Sequence, residues 1–466
     1  MMDQYDVAVI GAGPGGYVCA IRCAQLGMKT AIIDKQWLGG VCLNVGCIPS
    51  KSLLKNAEVA HTLRERGREL GFSFENLKLD YSVAVKRSRQ VSDRLVKGVG
   101  FLMKKNGIDV HLGAAKLTGR DRLTFTDAEG KSTEIQAKNI VVATGASVAV
   151  PPGWQIDGEK IVTYQEAILQ EKLPKSAIVI GAGAIGVEFT TVWHSYGVEV
   201  TLVEMLPRLV PLEDEEVGEE LAKNFKRRKI NCLTGHRVEE IQATETGVKV
   251  KVSNGAEQKT LEAEQALVAI GFRPNGKGLG LEEQGVKLSE RGAVEIDERM
   301  ATNVPGIWAI GDVTAKLMLA HVASSQGIVC AENIAGAETV ALNYEMMPRA
   351  TYCQPQVAAF GLSEAQARER GYNVKVGRFP FQANGKALGL GEAVGWVKIV
   401  TDAEYGEILG AHLIGPEVTE LLPELTLAQM MEITAHEIGR NVHAHPTLSE
   451  TLMEAAEDAL GRAINF

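Results

Sequence analysis

The strongest constraint on this chain is that part of it repeats. The segment Val7 to Lys35, VAVIGAGPGGYVCAIRCAQLGMKTAIIDK, runs as an apolar strand, a glycine-rich turn, a helix and a second apolar strand ending in an acid. The segment Ala177 to Glu204, AIVIGAGAIGVEFTTVWHSYGVEVTLVE, runs the same way. Gly11, Gly13, Gly16, Gly27 and Asp34 fall on Gly181, Gly183, Gly186, Gly197 and Glu204 in one register, offset by 170 positions. A single G-x-G-x-x-G says little. Here each copy follows a strand, opens a helix and has an acid about 20 residues downstream, which is the context that gives the motif meaning. In that context the glycines allow a tight turn, close approach of a pyrophosphate and close helix packing, while the acid meets ribose hydroxyls. The repeat therefore predicts two dinucleotide sites; the plainer alternative is two glycine-rich turns in doubly wound domains. At the second acid, Glu204 accepts bonds from a free 2′-hydroxyl and repels a 2′-phosphate, and no cation follows until Arg208, so NAD is favoured over NADP.

Composition fits this plan. The chain has 466 residues, enough for about three domains at roughly 150 each. Its 49 glycines exceed the roughly 33 expected from an average usage of about 7%. With 45% hydrophobic and 23% charged residues it is globular in class, and a net charge of -9 argues against nucleic acid as the main ligand. No run approaches the roughly 18 apolar residues of a membrane span. Strand-like sequence starts at Tyr5, so no leader peptide is expected and the expected location is cytoplasmic. Seven scattered cysteines are typical of cytosolic proteins, in which a close pair is more often catalytic or metal-binding than structural.

Further strand-plus-glycine stretches, IVVATG at 140–145 and LVAIG at 267–271, extend the pattern, and IWAIGD at 307–312 puts Asp312 just past a strand, where α/β sheets bind ligands. After about Met347 the pattern stops. Alternating runs such as GWVKIV at 395–400 and a helical stretch from Glu417 to His436 suggest a separate α+β domain, and the acidic run at 213–216 looks like a solvated helix start.

The run GGVCLNVGCIPSK at 39–51 carries candidate chemistry. Cys42 and Cys47 are five apart; regular helix would separate them by about 7.5 Å of rise, too far for a disulfide, but Gly46 and Pro49 permit distortion. Lys51 shares a helical face with Cys47 if helix starts there, and a nearby cation favours a thiolate. The pair reads as a redox dithiol. The competing readings are two buried reduced cysteines, a zinc site lacking its second ligand pair, and a structural disulfide. No metal site is expected. Moving the second proton needs an acid-base group, for which histidine is suited. In VHAHPTLSE at 442–450, His443 and His445 face opposite ways in extended chain, Pro446 stiffens the backbone after His445, and Glu450 lies within reach of an imidazole if helix starts near Thr447.

In combination, GAGPGG, GGVCLNVGCIPSK, VVATG, GAGAIGVEF, AIGFRPN, IWAIGD, LAHVA and HAHPTLSE resemble the flavin-dependent pyridine nucleotide-disulfide oxidoreductases over essentially the whole length, most closely the branch that oxidises dihydrolipoyl groups with NAD. The resemblance implies an α/β fold: a Rossmann-like FAD-binding domain at 1–149, an NAD-binding domain at 150–276, a central segment at 277–346 completing the first, and an α+β dimerisation domain at 347–466. FAD would meet Gly11, Gly13, Gly15, Gly16, Asp34, Lys35, Gly40, Val41, Cys42, Lys51, Ala115, Thr144, Gly145, Gly311, Asp312, Met318, Leu319, Ala320 and His321. NAD would meet Gly181, Gly183, Ala184, Ile185, Gly186, Glu188, Glu204 and Gly271.

By the same resemblance, Cys42 would exchange with substrate and Cys47 contact the flavin. Lys51 and Glu188 would lie at the flavin ring, and His445, oriented by Glu450, would serve as acid-base for the other subunit of a homodimer. The partners implied are lipoyl domains of 2-oxo acid dehydrogenase or glycine-cleavage assemblies. Val41, Asp34, Ala115, Gln326 and Gln356 depart from the usual pattern without removing a catalytic group. The alternatives are a glutathione-type reductase, which should show basic NADP-binding residues, a mercuric-type reductase, which should show a C-terminal cysteine pair, and a non-catalytic flavoprotein scaffold or NAD-sensing subunit.

Overall fold

In the computed structural model, which describes residues 3–466, the chain forms two compact units. The first comprises the chain up to Ser52, Ser82–Ala149 and Gly271–Tyr344; the second comprises Leu53–Tyr81, Val150–Ile270 and Glu345–Phe466.

The first unit is built on one sheet with strands in the order Asp109–Leu112, Thr30–Asp34, Asp3–Ile10, Ser132–Val142, Arg122–Thr126 and Ala114–Leu117, with Ile307–Ala309 also pairing with Ser132–Val142. Its central pairings are parallel, Val9 standing opposite both Ile32 and Val141. Both faces are covered, which is why these strands are continuous apolar runs. Val7, Val9, Ile32 and Val141 pack on one side with Cys19, Met103 and Val329. Ala8, Ile10, Ile33 and Val142 pack on the other with Leu123, Phe125 and Val313.

The second unit contains the second copy of the repeat. Its parallel sheet runs Asn231–Leu233, Glu199–Val203, Ser176–Ile180, Gln265–Val268, Ile161–Val162, so Val179 stands opposite Leu202 and Leu267 as Val9 stands opposite Ile32 and Val141. The helices after the two turns, Pro14–Gln25 and Ala184–Ser195, have 12 residues each. A three-stranded antiparallel sheet at Arg237–Ala243, Val248–Ser253 and Gln258–Ala263 belongs to the same unit. The remainder is a five-stranded antiparallel sheet, in the order Arg349–Thr351, Gln356–Gly361, Ile408–Gly415, Trp396–Asp402, Val374–Pro380. It packs with helices Val418–Met430 and Glu450–Ala459 around Phe360, Phe379, Leu413, Leu422 and Leu452. The α/β class with two Rossmann-like units and an α+β C-terminal region matches the expectation. Among the described residues no helix is long and apolar enough to cross a membrane.

Two expectations need correction. The stretch from Glu417 to His436 is not one helix: Val418–Met430 ends, Glu432 takes a left-handed φ of 56°, and a capping box at Thr434 starts a new helix, Ala435–Arg440. The acidic run at 213–216 does start a helix, with Asp214 capping Glu215–Arg227, but half of it is not solvated. The side chain of Asp214 is 5% exposed and accepts from Lys398 Nζ at 3.1 Å, and Glu213 is paired with Arg349 at 3.1 Å. Lys398 is itself buried in the strand Trp396–Asp402 and also meets Glu364 and Glu216 at 3.3 and 3.4 Å. Asp214 is buried because it neutralises a buried cation.

Candidate active site

The two glycine turns are built alike. Gly11 and Gly181 have φ of +108° and +101°, and a Cβ there would lie 2.2 Å from Ala143 O or 2.4 Å from Ala269 O. A Cβ on Gly16 or Gly186 would overlap the carbonyl of Gly11 or Gly181, at 1.9 or 1.8 Å. These four glycines let the turn, the helix and the next strand touch. Gly13 and Gly183 are different. Each is the N-cap of its helix, with no side chain capping the free amides, and a Cβ on either would meet nothing within 4 Å. Uncapped helix N–H groups facing open space form a cradle suited to a pyrophosphate. The acids also hold the turns: Asp34 accepts from Ala12 N at 2.7 Å and Glu204 from Ala182 N at 2.7 Å. Their other oxygens accept from Gln36 N and Trp37 N and from Leu206 N. The acid therefore organises its own turn. Lys35, next to Asp34, is exposed, and Ala184 and Ile185 form the first turn of the second helix.

The dithiol sits against the first turn. Gly39 N donates to Ala12 O at 2.8 Å, and a Cβ on Gly40 would lie 2.6 Å from the Cα of Gly13. A short helix, Gly40–Val45, carries Val41 and Cys42; Gly46 breaks it at φ −128°, ψ −117°, and a second helix, Cys47–His61, starts at the other cysteine with Lys51 one turn on. The cysteines thus stand on two helix segments rather than in one regular helix. Asn44 holds the short helix by donating to Leu38 O and Gly40 O at 3.0 and 2.9 Å, and the Arg89 guanidinium donates to Asn44 O.

All seven cysteines are unbridged. The Cys42 thiol is pushed up by the neighbouring Cys47 sulfur and then by burial, with the Lys51 charge opposing. Tyr17, on the helix after the first turn, has its hydroxyl pushed up by burial and then by the charges of Cys42 and Cys47. Tyr17 and Asn44 were not singled out from sequence; a tyrosine directly after GAGPGG was the available signal.

Of the other predicted residues, those at the start of helix Ala320–Ala335 lie near the same turn within the first unit. Helix Ala320–Ala335 crosses Pro14–Gln25 closely enough that a Cβ on Gly15 would lie 3.0 Å from Ala323 O. Met318 and Leu319 precede this helix, whose N-terminus starts at Ala320 without a side-chain cap, with His321 exposed beside it. Just before it, Gly311 N donates to buried Gln326 at 2.6 Å, and Gln326 donates to the Tyr344 hydroxyl at 2.8 Å. Burial pushes Asp312 up to about 6. Thr144 donates to Asn275 O at 2.8 Å and receives the Asn275 amide at 3.1 Å, while Gly145 and Gly271 face open space. Ala115 lies farther out, on Ala114–Leu117 opposite Phe125. Glu188, 6% exposed on helix Ala184–Ser195, accepts from Tyr352 N at 2.9 Å. The departure at Gln356 has a local role, its side-chain oxygen accepting from Thr419 N and Oγ1 at the uncapped start of Val418–Met430.

At the C-terminus His445 Nδ1 lies 2.9 Å from Glu450 Oε1, and Thr447 N donates to Glu450 Oε2 at 2.8 Å. Glu450 opens helix Glu450–Ala459, so backbone and imidazole both orient its carboxylate. The His445–Pro446 peptide is cis. The His445 side chain is 78% exposed, and among the described residues its Nε2 has no partner.

A family model for pyridine nucleotide-disulphide oxidoreductases matches residues 5–327, and that for the dimerisation domain of the same group matches 347–456. The dihydrolipoyl dehydrogenase of Mycobacterium leprae is 52% identical over 469 residues, and that of Corynebacterium glutamicum 51% identical over 472, each pairing covering 100% of both chains. Among solved structures, LpdA from Mycobacterium tuberculosis superposes with a TM-score of 0.91 at 28% identity, covering 98% of this chain and 99% of that one. The HOCl-induced flavoprotein disulfide reductase RclA from Escherichia coli gives 0.86 at 25% identity, covering 97% and 99%.

Proposed function

Because the chain belongs to the pyridine nucleotide-disulphide oxidoreductase family, we propose how its own residues carry the reaction, the oxidation of dihydrolipoyl groups to lipoyl with reduction of NAD to NADH. It is an NAD-dependent flavoprotein disulfide oxidoreductase that uses FAD. The observation that carries our reading of the site is the Cys42–Cys47 pair, split across a helix break and seated on the first glycine turn through Gly39 and Gly40. Our assignment gives FAD the cradle at Gly13, with Asp34, Thr144, Asp312 and the Ala320 helix start around it. NAD takes the cradle at Gly183, with Glu204 at its ribose. Both cradles fit a pyrophosphate, since uncapped amides point into space that no side chain fills.

In the oxidised enzyme the two cysteines form a disulfide. A dihydrolipoyl thiolate attacks Cys42 Sγ, and Cys47 leaves as a thiolate. His445 takes the proton from the second substrate thiol, which then displaces Cys42 and closes the lipoyl ring. The proton returns from His445 to Cys42, whose thiol is held up by the adjacent Cys47 sulfur. Two electrons are now on the dithiol and none are lost. Bound FAD supplies the two-electron relay by which this pair reaches NAD as hydride.

Glu450 fixes the imidazole so that Nε2 faces outward. We assign this exposed dyad to the dithiol of a second copy in a homodimer; its exposure and the dimerisation-domain match support that. Lipoyl domains of 2-oxo acid dehydrogenase or glycine-cleavage components are the proposed partners and the cytoplasm the proposed location. The test compares rates with dihydrolipoamide plus NAD against oxidised glutathione plus NADPH. The first pair should turn over and the second should not; the reverse order would sink the substrate assignment.

A further inference from the structure

Two residues before the proposed base is a second histidine with opposite surroundings. The side chain of His443 is only 4% exposed, against 78% for His445. Its Nδ1 lies 3.0 Å from Asn441 O and its Nε2 2.9 Å from Glu424 Oε1. A backbone carbonyl and a carboxylate only accept hydrogen bonds, and a neutral imidazole has one N–H to give. Both contacts are satisfied only by the imidazolium. Glu424 also receives the Asn441 side-chain amide at 3.3 Å, so one carboxylate on helix Val418–Met430 holds the loop at two points.

We infer that His443 is a positioning residue of the proton-transfer site: a fixed imidazolium, paired with Glu424, that anchors the loop carrying His445 and places a compensating positive charge beside the Glu450 carboxylate. This rests on the assignment of His445 and Glu450 made above. Glu424 from helix Val418–Met430 and Glu450 from helix Glu450–Ala459 act on His443, and His445 on the loop acts with His443 on Glu450. On helix Ala435–Arg440, Glu437 is committed to capping Thr434. The Glu424 bond pushes His443 up, against burial, and the charge of Glu450 adds to the rise. Burial pushes Glu450 up but is outweighed by the Thr447 N–H, the His445 bond and the charges of His445 and His443.

The variants are His443→Gln and the double variant His443→Gln with Glu424→Gln, read through the pH profile of kcat/KM for dihydrolipoamide oxidation. His443→Gln leaves Glu424 uncompensated, which favours the protonated form of any base nearby. The acid limb should therefore move to higher pH by about one unit, a roughly tenfold loss below the limb with little change above it. Removing both charges should return the limb most of the way. NADH oxidation by ferricyanide, which bypasses the dithiol, should be unchanged and show that the variants are folded. A loss uniform across pH, or an unmoved limb, would overturn the inference. His445→Gln is the companion: if it is inactive while His443→Gln has a wild-type profile, this inference alone fails, and if it stays active the proton-transfer assignment fails too.

Discussion

Replacing Gly183 by alanine separates a nucleotide cradle from an ordinary turn. The backbone there has φ −71° and ψ −174°, which alanine adopts, and the added Cβ meets nothing within 4 Å. The cost to the fold is the difference between glycine and alanine at an N-cap, about 1 kcal/mol or less. If the space in front of Gly183 is where the NAD pyrophosphate meets the helix amides, the methyl group displaces it. Losing one hydrogen bond to a charged group costs about 1.5–3 kcal/mol, which at 1.4 kcal/mol per decade is roughly a 10- to 100-fold rise in the KM for NAD. FAD content and thermal unfolding should stay close to wild type. Gly186→Ala is the contrast, since its Cβ would stand 1.8 Å from Gly181 O and the unit should not assemble. The assay is steady-state kinetics against NAD with flavin absorbance and a melting curve for each variant. A folded, flavin-bearing Gly183→Ala enzyme with an unchanged KM would refute the assignment of this turn.

Further outcomes follow from the same geometry. Cys42→Ser should abolish dihydrolipoamide oxidation while FAD stays bound; wild-type turnover in that variant would remove Cys42 from the path. Glu450→Ala removes a charge-assisted bond of 2.9 Å to His445, and kcat/KM should fall by about 10- to 100-fold; no change would mean the imidazole needs no orienting. Asp312 is raised to about 6 from 3.8 by burial, so in FAD-free protein its ionisation opposes folding as pH rises from about 4 through 6, by roughly 3 kcal/mol. Asp312→Asn should therefore stabilise the apoprotein in urea at pH 8 and not at pH 4; equal effects at both would contradict this. Asp214→Ala uncovers buried Lys398 and removes a helix cap, so a loss of about 3 kcal/mol or more is expected in denaturant titration, and a neutral result would show that Glu216 and Glu364 suffice.

The nucleotide-binding half was legible because its constraints are local and repeated. Glycine at Gly16 answers the carbonyl of Gly11 within the same strand-turn-helix segment, and in the second copy Gly186 answers that of Gly181. What escaped depended on partners far along the chain. Alternation in GWVKIV puts Lys398 on the same face as Trp396 and Val400, and this charged side chain is buried there because Asp214, 184 residues away, comes to meet it. The break after Met430 turns on Glu432 adopting a left-handed conformation, for which no glycine gave warning. The opposite facing of His443 and His445 was readable from the extended run, but the burial of one against Glu424 was not.

The central claim is that the Cys42–Cys47 pair carries the electrons from dihydrolipoyl substrate toward NAD. Anaerobic titration of the FAD-loaded enzyme with dihydrolipoamide tests it directly. A long-wavelength thiolate-to-flavin absorbance band is expected after one equivalent, absent in Cys47→Ser, with its conversion to NADH absorbance when NAD is added. No band and no NADH from the wild-type enzyme would contradict it.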